Sequence, residues 1–307
     1  MIGKKVDTYF FAEVQPTDLA IARILFYAFI FRYFYKSDFS VFADPSLKMA
    51  WLPISFFKYV PINSGSMDFT RALSVLWRCT LIFAVIGFCT PIAVFGSTLL
   101  GMFLIGLVYN YGKIAHSTSL PLLLSLILCF SRCGDAWSID AIVKRRLYGL
   151  APPQPSGHYL WPLRLIQIYT TWVYFSAAYQ KLTLTGLAWV TSDNLQNLLH
   201  FCHRPFGIWV SNHPGLCHVL AAWTLIIELA APMALVNRKL TLLIVPNLIL
   251  LHVGTCLSMG RFGWFIPFEF AYIFWVPWGA FGRYLTSRIR PKSIFASRAQ
   301  DPVVLTT

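Results

Sequence analysis

Residues 163–182 read LRLIQIYTTWVYFSAAYQKL. At 1.5 Å per residue, a helix of this length crosses a hydrocarbon layer of about 30 Å. A lysine, Lys181, stands at one end. Gln167, Thr171, Tyr174, Ala178 and Lys181 recur at helical spacing, within about 40° of one line on the helix surface. Trp172 and Phe175 point elsewhere. The spacing therefore predicts an apolar helix with a polar stripe leading to an amine. Two roles for that amine are open. A lysine at a span end commonly snorkels to the headgroups. A lysine on a polar stripe also suits a cavity in which it does chemistry.

Composition sets the class. The chain has 307 residues, of which 57% are hydrophobic and 12% charged, with mean hydropathy +0.61. A soluble domain carries about 25% charged residues, so a multi-pass membrane protein is expected. The formal charge is +13. In a chain this apolar, the excess suits loops that face anionic headgroups, and no nucleic-acid partner is expected. Seven cysteines, an odd number, do not make a secreted disulfide framework.

The apolar runs predict an all-α bundle of eight spans, at about 19–35, 72–89, 92–109, 120–131, 163–182, 216–236, 240–255 and 264–281. The organisation is an N-terminal segment at 1–18, a transmembrane domain at 19–282 and a basic tail at 283–307. Residues 1–15 read as an interfacial segment, and the first apolar run as a signal anchor rather than a cleaved leader. Pro16-Thr17-Asp18 marks a helix start. Loops 37–70 and 183–215 are long; the first holds Trp51, Phe56, Phe57 and Tyr59 and reads as an interfacial cap. Asp140 and Lys144, spaced i, i+4, predict a short interfacial helix.

Eight spans leave both termini on one side. That side would carry thirteen Lys and Arg, including Lys144-Arg145-Arg146 and Arg238-Lys239, against eight opposite. The termini are therefore expected in the cytoplasm. This topology gathers His116, Lys181, His252 and Arg261 at the non-cytoplasmic ends of spans, under the two long loops. Glu228 falls deeper, where a carboxylate must be protonated or paired. Arg23, Arg78 and Lys181 are the candidate partners, and a neutral Lys181 requires that Glu228 be satisfied elsewhere.

The run Tyr174-Phe175-Ser176-Ala177-Ala178-Tyr179-Gln180-Lys181-Leu182, followed by Trp189, resembles the membrane domain of vitamin K-dependent gamma-carboxylase, part of the HTTM family. Ala115-His116-Ser117, Trp137-Ser138-Ile139-Asp140, Glu228 and the turn at 252–265 are similar to further family features in the same order, across roughly 17–278. The resemblance implies that Lys181 is the base toward a reduced, vitamin K-like quinone and that His116 assists carboxylation. Oxygen and carbon dioxide would be co-substrates. Gln167, Thr171, Tyr174, Trp189, Glu228, His252 and Arg261 are then expected to bind substrate. A base lysine must be neutral, which burial in an apolar pocket favours. The sequence departs from the family by two extra residues between Leu182 and Trp189 and by lacking the glycine after that tryptophan. The carboxylases continue into a lumenal β-rich domain that binds a propeptide. The expectation here is accordingly quinol oxidation or epoxidation, or chemistry on a small lipid, rather than protein carboxylation.

Other classes remain in view. A transporter using the polar stripe would ordinarily show repeated halves, and none is evident. A noncatalytic binder of lipids or of a protein partner needs neither His116 nor Lys181. The loop around 200–218 carries His200, Cys202, His203, His213, Cys217 and His218. These ligand types suit zinc, or a Cys202–Cys217 disulfide, or unpaired side chains at the interface.

Overall fold

The computed structural model describes residues 2–59, 67–112, 114, 116–260 and 268–282. Among the described residues the regular elements are helical, apart from an isolated antiparallel bridge between Val14 and Ser156. In chain order the helices are α1 (Ile2–Phe11), α2 (Pro16–Phe34), α3 (Met67–Ile86), α4 (Thr90–Tyr109), α5 (His116–Cys129) and α6 (Ile139–Tyr148). Then follow α7 (Leu160–Thr185), α8 (Ala188–Thr191), α9 (Asn194–Phe201), α10 (Pro205–Ser211), α11 (Pro214–Ala230) and α12 (Arg238–Met259). Short 3-10 turns fill Phe39–Ala43, Pro45–Ala50 and Ser55–Lys58, and a further one extends α11 to Leu235.

Among the described residues, four helices are long and apolar enough to cross a membrane: Met67–Ile86, Thr90–Tyr109, Pro214–Leu235 and Arg238–Met259. The helices α2 and α7 are long but more polar, and the reason is their place in the fold. Both are central. Along α2, Leu19, Ala22, Phe26 and Tyr27 are almost completely buried, and so is Arg23. Along α7, Ile166, Gln167, Thr170, Thr171, Tyr174 and Ala178 are buried. A polar stripe is tolerated on α7 because Gln167, Thr170, Thr171 and Tyr174 each make a hydrogen bond inside the protein.

Side-chain hydrogen bonds tie these helices together. Tyr27 on α2 meets Ser125 on α5 at 2.8 Å, and Ser125 meets Thr98 on α4 at 2.6 Å. The indole of Trp77 on α3 donates to the Ser97 carbonyl of α4 at 2.8 Å. Phe29 stacks on Phe270 with ring centroids 3.5 Å apart. The Asp18 carboxylate accepts from the Gly279 amide at 2.6 Å, latching the start of α2 to the last described segment. The N-terminal residues are not merely interfacial. They form α1, and the Arg164 guanidinium of α7 lies 4.7 Å above the Tyr9 ring.

Several expectations change. The eighth span, in its described part, is no single helix: helical residues 268–271 run into the 3-10 turn Tyr272–Trp275 and, after Pro277, into 278–282. The loop at 183–215 is largely helical, because α7 extends to Thr185 and α8, α9 and α10 follow. Their small core holds Leu199, Val210 and Cys217. The cap at 37–59 does pack on the protein, though unevenly. Asn110 binds the backbone of Leu52 and Ile54, and Phe57 is buried, while Phe56 and Tyr59 are exposed. Lys144 does not pair with Asp140. Asp140 instead accepts from the Cys89 and Thr90 amides at the start of α4, where a carboxylate complements the helix dipole. Lys144 lies 3.8 Å from Asp135.

Candidate functional site

A cavity of about 910 Å³ opens between α2, α4, α5, α7, α11 and α12 and the turn after α2. Its walls are mainly apolar, with Phe34, Phe39, Ile105 and Val173 among them. Its volume lies in the range of small-molecule sites. Tyr174, Glu228 and His252 supply polar groups from three different helices.

Those three residues belong to two hydrogen-bonded groups, Tyr174 with His252 and Tyr272, and Glu228 with Lys181. The Tyr174 hydroxyl lies 2.7 Å from His252 Nε2, and the Tyr272 hydroxyl donates to it at 2.9 Å. Phe268 stacks on the His252 ring, with centroids 5.4 Å apart and planes 15° apart. Lys181 Nζ donates to Glu228 Oε2 at 2.5 Å, and the two side chains are only 19% and 9% exposed. The Lys181 ammonium also sits 4.9 Å from the centroid of the Trp189 ring, a cation–π contact.

The expectation that Glu228 is satisfied away from Lys181 is therefore corrected. The alternative cations are engaged elsewhere: Arg23 donates to the Trp137 carbonyl at 2.6 Å and Arg78 to the Ser37 carbonyl at 2.8 Å. Lys181 is also absent from the cavity wall, whereas Glu228 is part of it.

The stripe on α7 divides in the same way. Gln167 donates to the Phe274 carbonyl and accepts from Arg164, both at 3.0 Å. Thr171 donates to the Ile168 carbonyl at 2.9 Å. Neither lines the cavity. The lining residues of α7 are Val173, Tyr174, Ser176, Ala177 and Gln180. Their mean direction is roughly 100° around the helix from the stripe, and Tyr174 alone belongs to both sets. Trp189 contacts Lys181 rather than the cavity.

His116 begins α5, and Ser117 and Thr118 beside it line the cavity. The His116 side chain and all of Arg261 lie outside what the structure describes. Sequence reading missed Tyr272, Phe268 and the mouth of the cavity, where Tyr33, Asp38, Tyr109 and Tyr111 gather. The Asp38 carboxyl is held below the ordinary aspartate range by the Ser40 hydroxyl and amide, which donate at 2.6 and 3.0 Å. Ala177 and Gln180, on the cavity face of α7, were also missed, and nothing local marked Tyr272.

The histidine-rich loop does not form a disulfide, since Cys202 and Cys217 are both free thiols. Cys217 is buried and its thiol donates to the Val210 carbonyl. His203, His213 and His218 each place Nδ1 against a backbone carbonyl. Among the described residues no three His, Cys, Asp or Glu side chains are grouped to hold a metal. No protein-family model, curated protein or solved structure matches the chain.

Proposed function

We propose that this chain is a multi-pass membrane protein that draws an amphiphilic, quinol-type lipid into the cavity and does acid–base chemistry at its polar end. The observation that carries this is the cavity itself: apolar walls about 910 Å³ in volume meeting a tyrosine–histidine pair and a lysine-bound carboxylate. Apolar walls suit an isoprenoid tail. Clustered polar groups at one place suit a ring bearing hydroxyls. In this arrangement Glu228, rather than Lys181, faces the ligand. Lys181 pairs with the carboxylate, and Glu228 accepts the hydroxyl proton. Tyr174 orients the head through its bond to His252. The resemblance to the HTTM carboxylases supplies the substrate class, with oxygen as the oxidant of the quinol; carbon dioxide would be a co-substrate only of a carboxylation.

Multi-pass insertion with cytoplasmic termini is part of the same proposal. The crossings would be α2, α3, α4, α5, α7, α11, α12 and the broken segment before 282, supported by the four long apolar helices and by the basic residues around α6. With exposed native cysteines replaced, Ser192→Cys should react with an impermeant label from outside and Ser297→Cys should not. Labelling of Ser297→Cys in sealed, correctly oriented vesicles sinks this orientation.

The functional test begins with purification from native membrane and mass spectrometry of retained quinones and lipids. Quinol oxidation is then followed in reconstituted vesicles for wild type, Glu228→Gln, Lys181→Arg and Lys181→Ala. Retention of a quinone with loss of turnover in Glu228→Gln supports the proposal. Unchanged turnover in all three variants removes these residues from the chemistry. A second function, noncatalytic lipid binding, is favoured by the Lys181–Glu228 pair, which keeps the lysine from serving as a free base. It predicts ligand retention without turnover.

A further inference from the structure

The chemistry of α6 is not used by the cavity. The helix is exposed from Ile142 onward, and its outward side chains mix types: Ile142, Val143 and Leu147 with Lys144, Arg145 and Arg146. Leu147 is 74% and Trp137, just before the helix, 65% exposed. Water would solvate the cations and leave the large apolar groups unburied. A headgroup layer takes both, which is the pattern of an in-plane amphipathic helix.

Beside this helix lies a second cavity of about 540 Å³, lined by Thr17, Trp137, Ser138, Ile142 and Arg145, with Pro152 and Pro153 across from them. Its charge is one-sided. Lys144 is near Asp135, and Asp140 caps α4. Arg145 and Arg146 make no salt bridge among the described residues. Behind the cavity wall, the fully buried Arg23 holds the Trp137 carbonyl and also makes no salt bridge. A cationic, partly apolar cleft at a membrane face calls for a ligand with an anionic head and an apolar body.

We propose that this cleft seats the phosphate headgroup of an anionic phospholipid, with Arg145 contacting the phosphate and Ile142 and Trp137 packing on its glycerol and acyl region. This assignment rests on the chain being membrane-embedded and is independent of the quinol chemistry. A chain washed from membranes by carbonate would end the membrane premise without touching the lipid measurement.

The test uses the full-length purified protein, delipidated and titrated with phosphatidylglycerol or phosphatidylcholine of identical acyl chains, read by native mass spectrometry. Phosphatidylglycerol should be retained about tenfold more strongly than phosphatidylcholine. Arg145→Gln should abolish that preference and Arg145→Lys should keep most of it, with unfolding temperature as the control. Should Arg145→Gln fail to fold, Ile142→Ser serves instead: it keeps every charge and should weaken retention of both lipids, and unchanged retention overturns the proposal. Equal retention of the two lipids by wild type overturns the proposal, as does a preference that survives Arg145→Gln. Displacement of phosphatidylglycerol by millimolar inorganic phosphate also overturns it, because the cleft would then be a free-anion site.

Discussion

Lys181 and Glu228 lie forty-seven positions apart in sequence and 2.5 Å apart in space, bridging the end of α7 to the last turns of α11. Two mostly buried charges in an apolar surround depend on each other. Removing either leaves the other uncompensated, which costs about 3 kcal/mol or more. Lys181→Ala and Glu228→Gln should each lower the unfolding temperature in detergent. The combined Lys181→Met/Glu228→Leu protein should recover most of the loss. A double variant no better than the worse single variant would show that the pair is not coupled.

The Tyr174 hydroxyl serves two neighbours, His252 and Tyr272. Tyr174→Phe removes both bonds at once and should destabilise by roughly 1–3 kcal/mol, with Tyr272→Phe milder because the bond to His252 survives. Thermal unfolding of the two proteins orders them. A larger loss in Tyr272→Phe contradicts this hierarchy.

Ala177 projects from the cavity face of α7, whereas Thr171 lies on the buried stripe. Ala177→Phe should fill the cavity and lower retention of a copurifying amphiphile by about tenfold while the protein still folds. Thr171→Val should leave retention unchanged. Reversal of that order in mass spectrometry of bound lipid would place the ligand elsewhere.

Gly207 sits against the Ser258 carbonyl, where a β-carbon would collide with backbone. Gly260 adopts φ +67° beside the Arg204 guanidinium. These two glycines let α10 dock on the end of α12. Gly207→Ala should cost about 1–3 kcal/mol through overpacking. Limited proteolysis should show faster cleavage within 183–215, and unchanged cleavage there argues against the docking.

At the mouth of the cavity, Ser40 holds Asp38 ionised by two hydrogen bonds. A carboxyl lowered in the folded state contributes stability that is present above its ordinary range and is lost as pH falls through the folded value. Wild type should therefore weaken more than Asp38→Asn as pH drops below about 4. Parallel stability curves for the two proteins would mean that this carboxyl is not linked to folding.

Much of the helical architecture was legible because apolar runs and their ends carry local signals. The Pro16 start and the apolar run at 92–109 are examples. The short helices α8 to α10 were not, since their stability comes from packing around Leu199 and Val210 rather than from periodicity. Tyr174, Glu228 and His252 were legible as polar groups in apolar runs, and the structure brings all three to one cavity. Which face of α7 turns toward that cavity was not legible, because Gln167 and Thr171 satisfy themselves against neighbouring backbone. The Lys181–Glu228 contact depends on the tilt of two helices, and no single stretch of sequence encodes that.

The bond between Asp18 and Gly279 joins residues separated by 261 positions. At a synthesis rate of roughly 5–20 residues per second, Asp18 leaves the ribosome tens of seconds before its partner is made. Tyr272 comes almost as late. A half-made chain thus holds α2 without its latch and Tyr174 without the hydroxyl that donates to it. During biosynthesis the central helices must wait without these partners, and the polar cluster is complete only when nearly the whole polypeptide has been made.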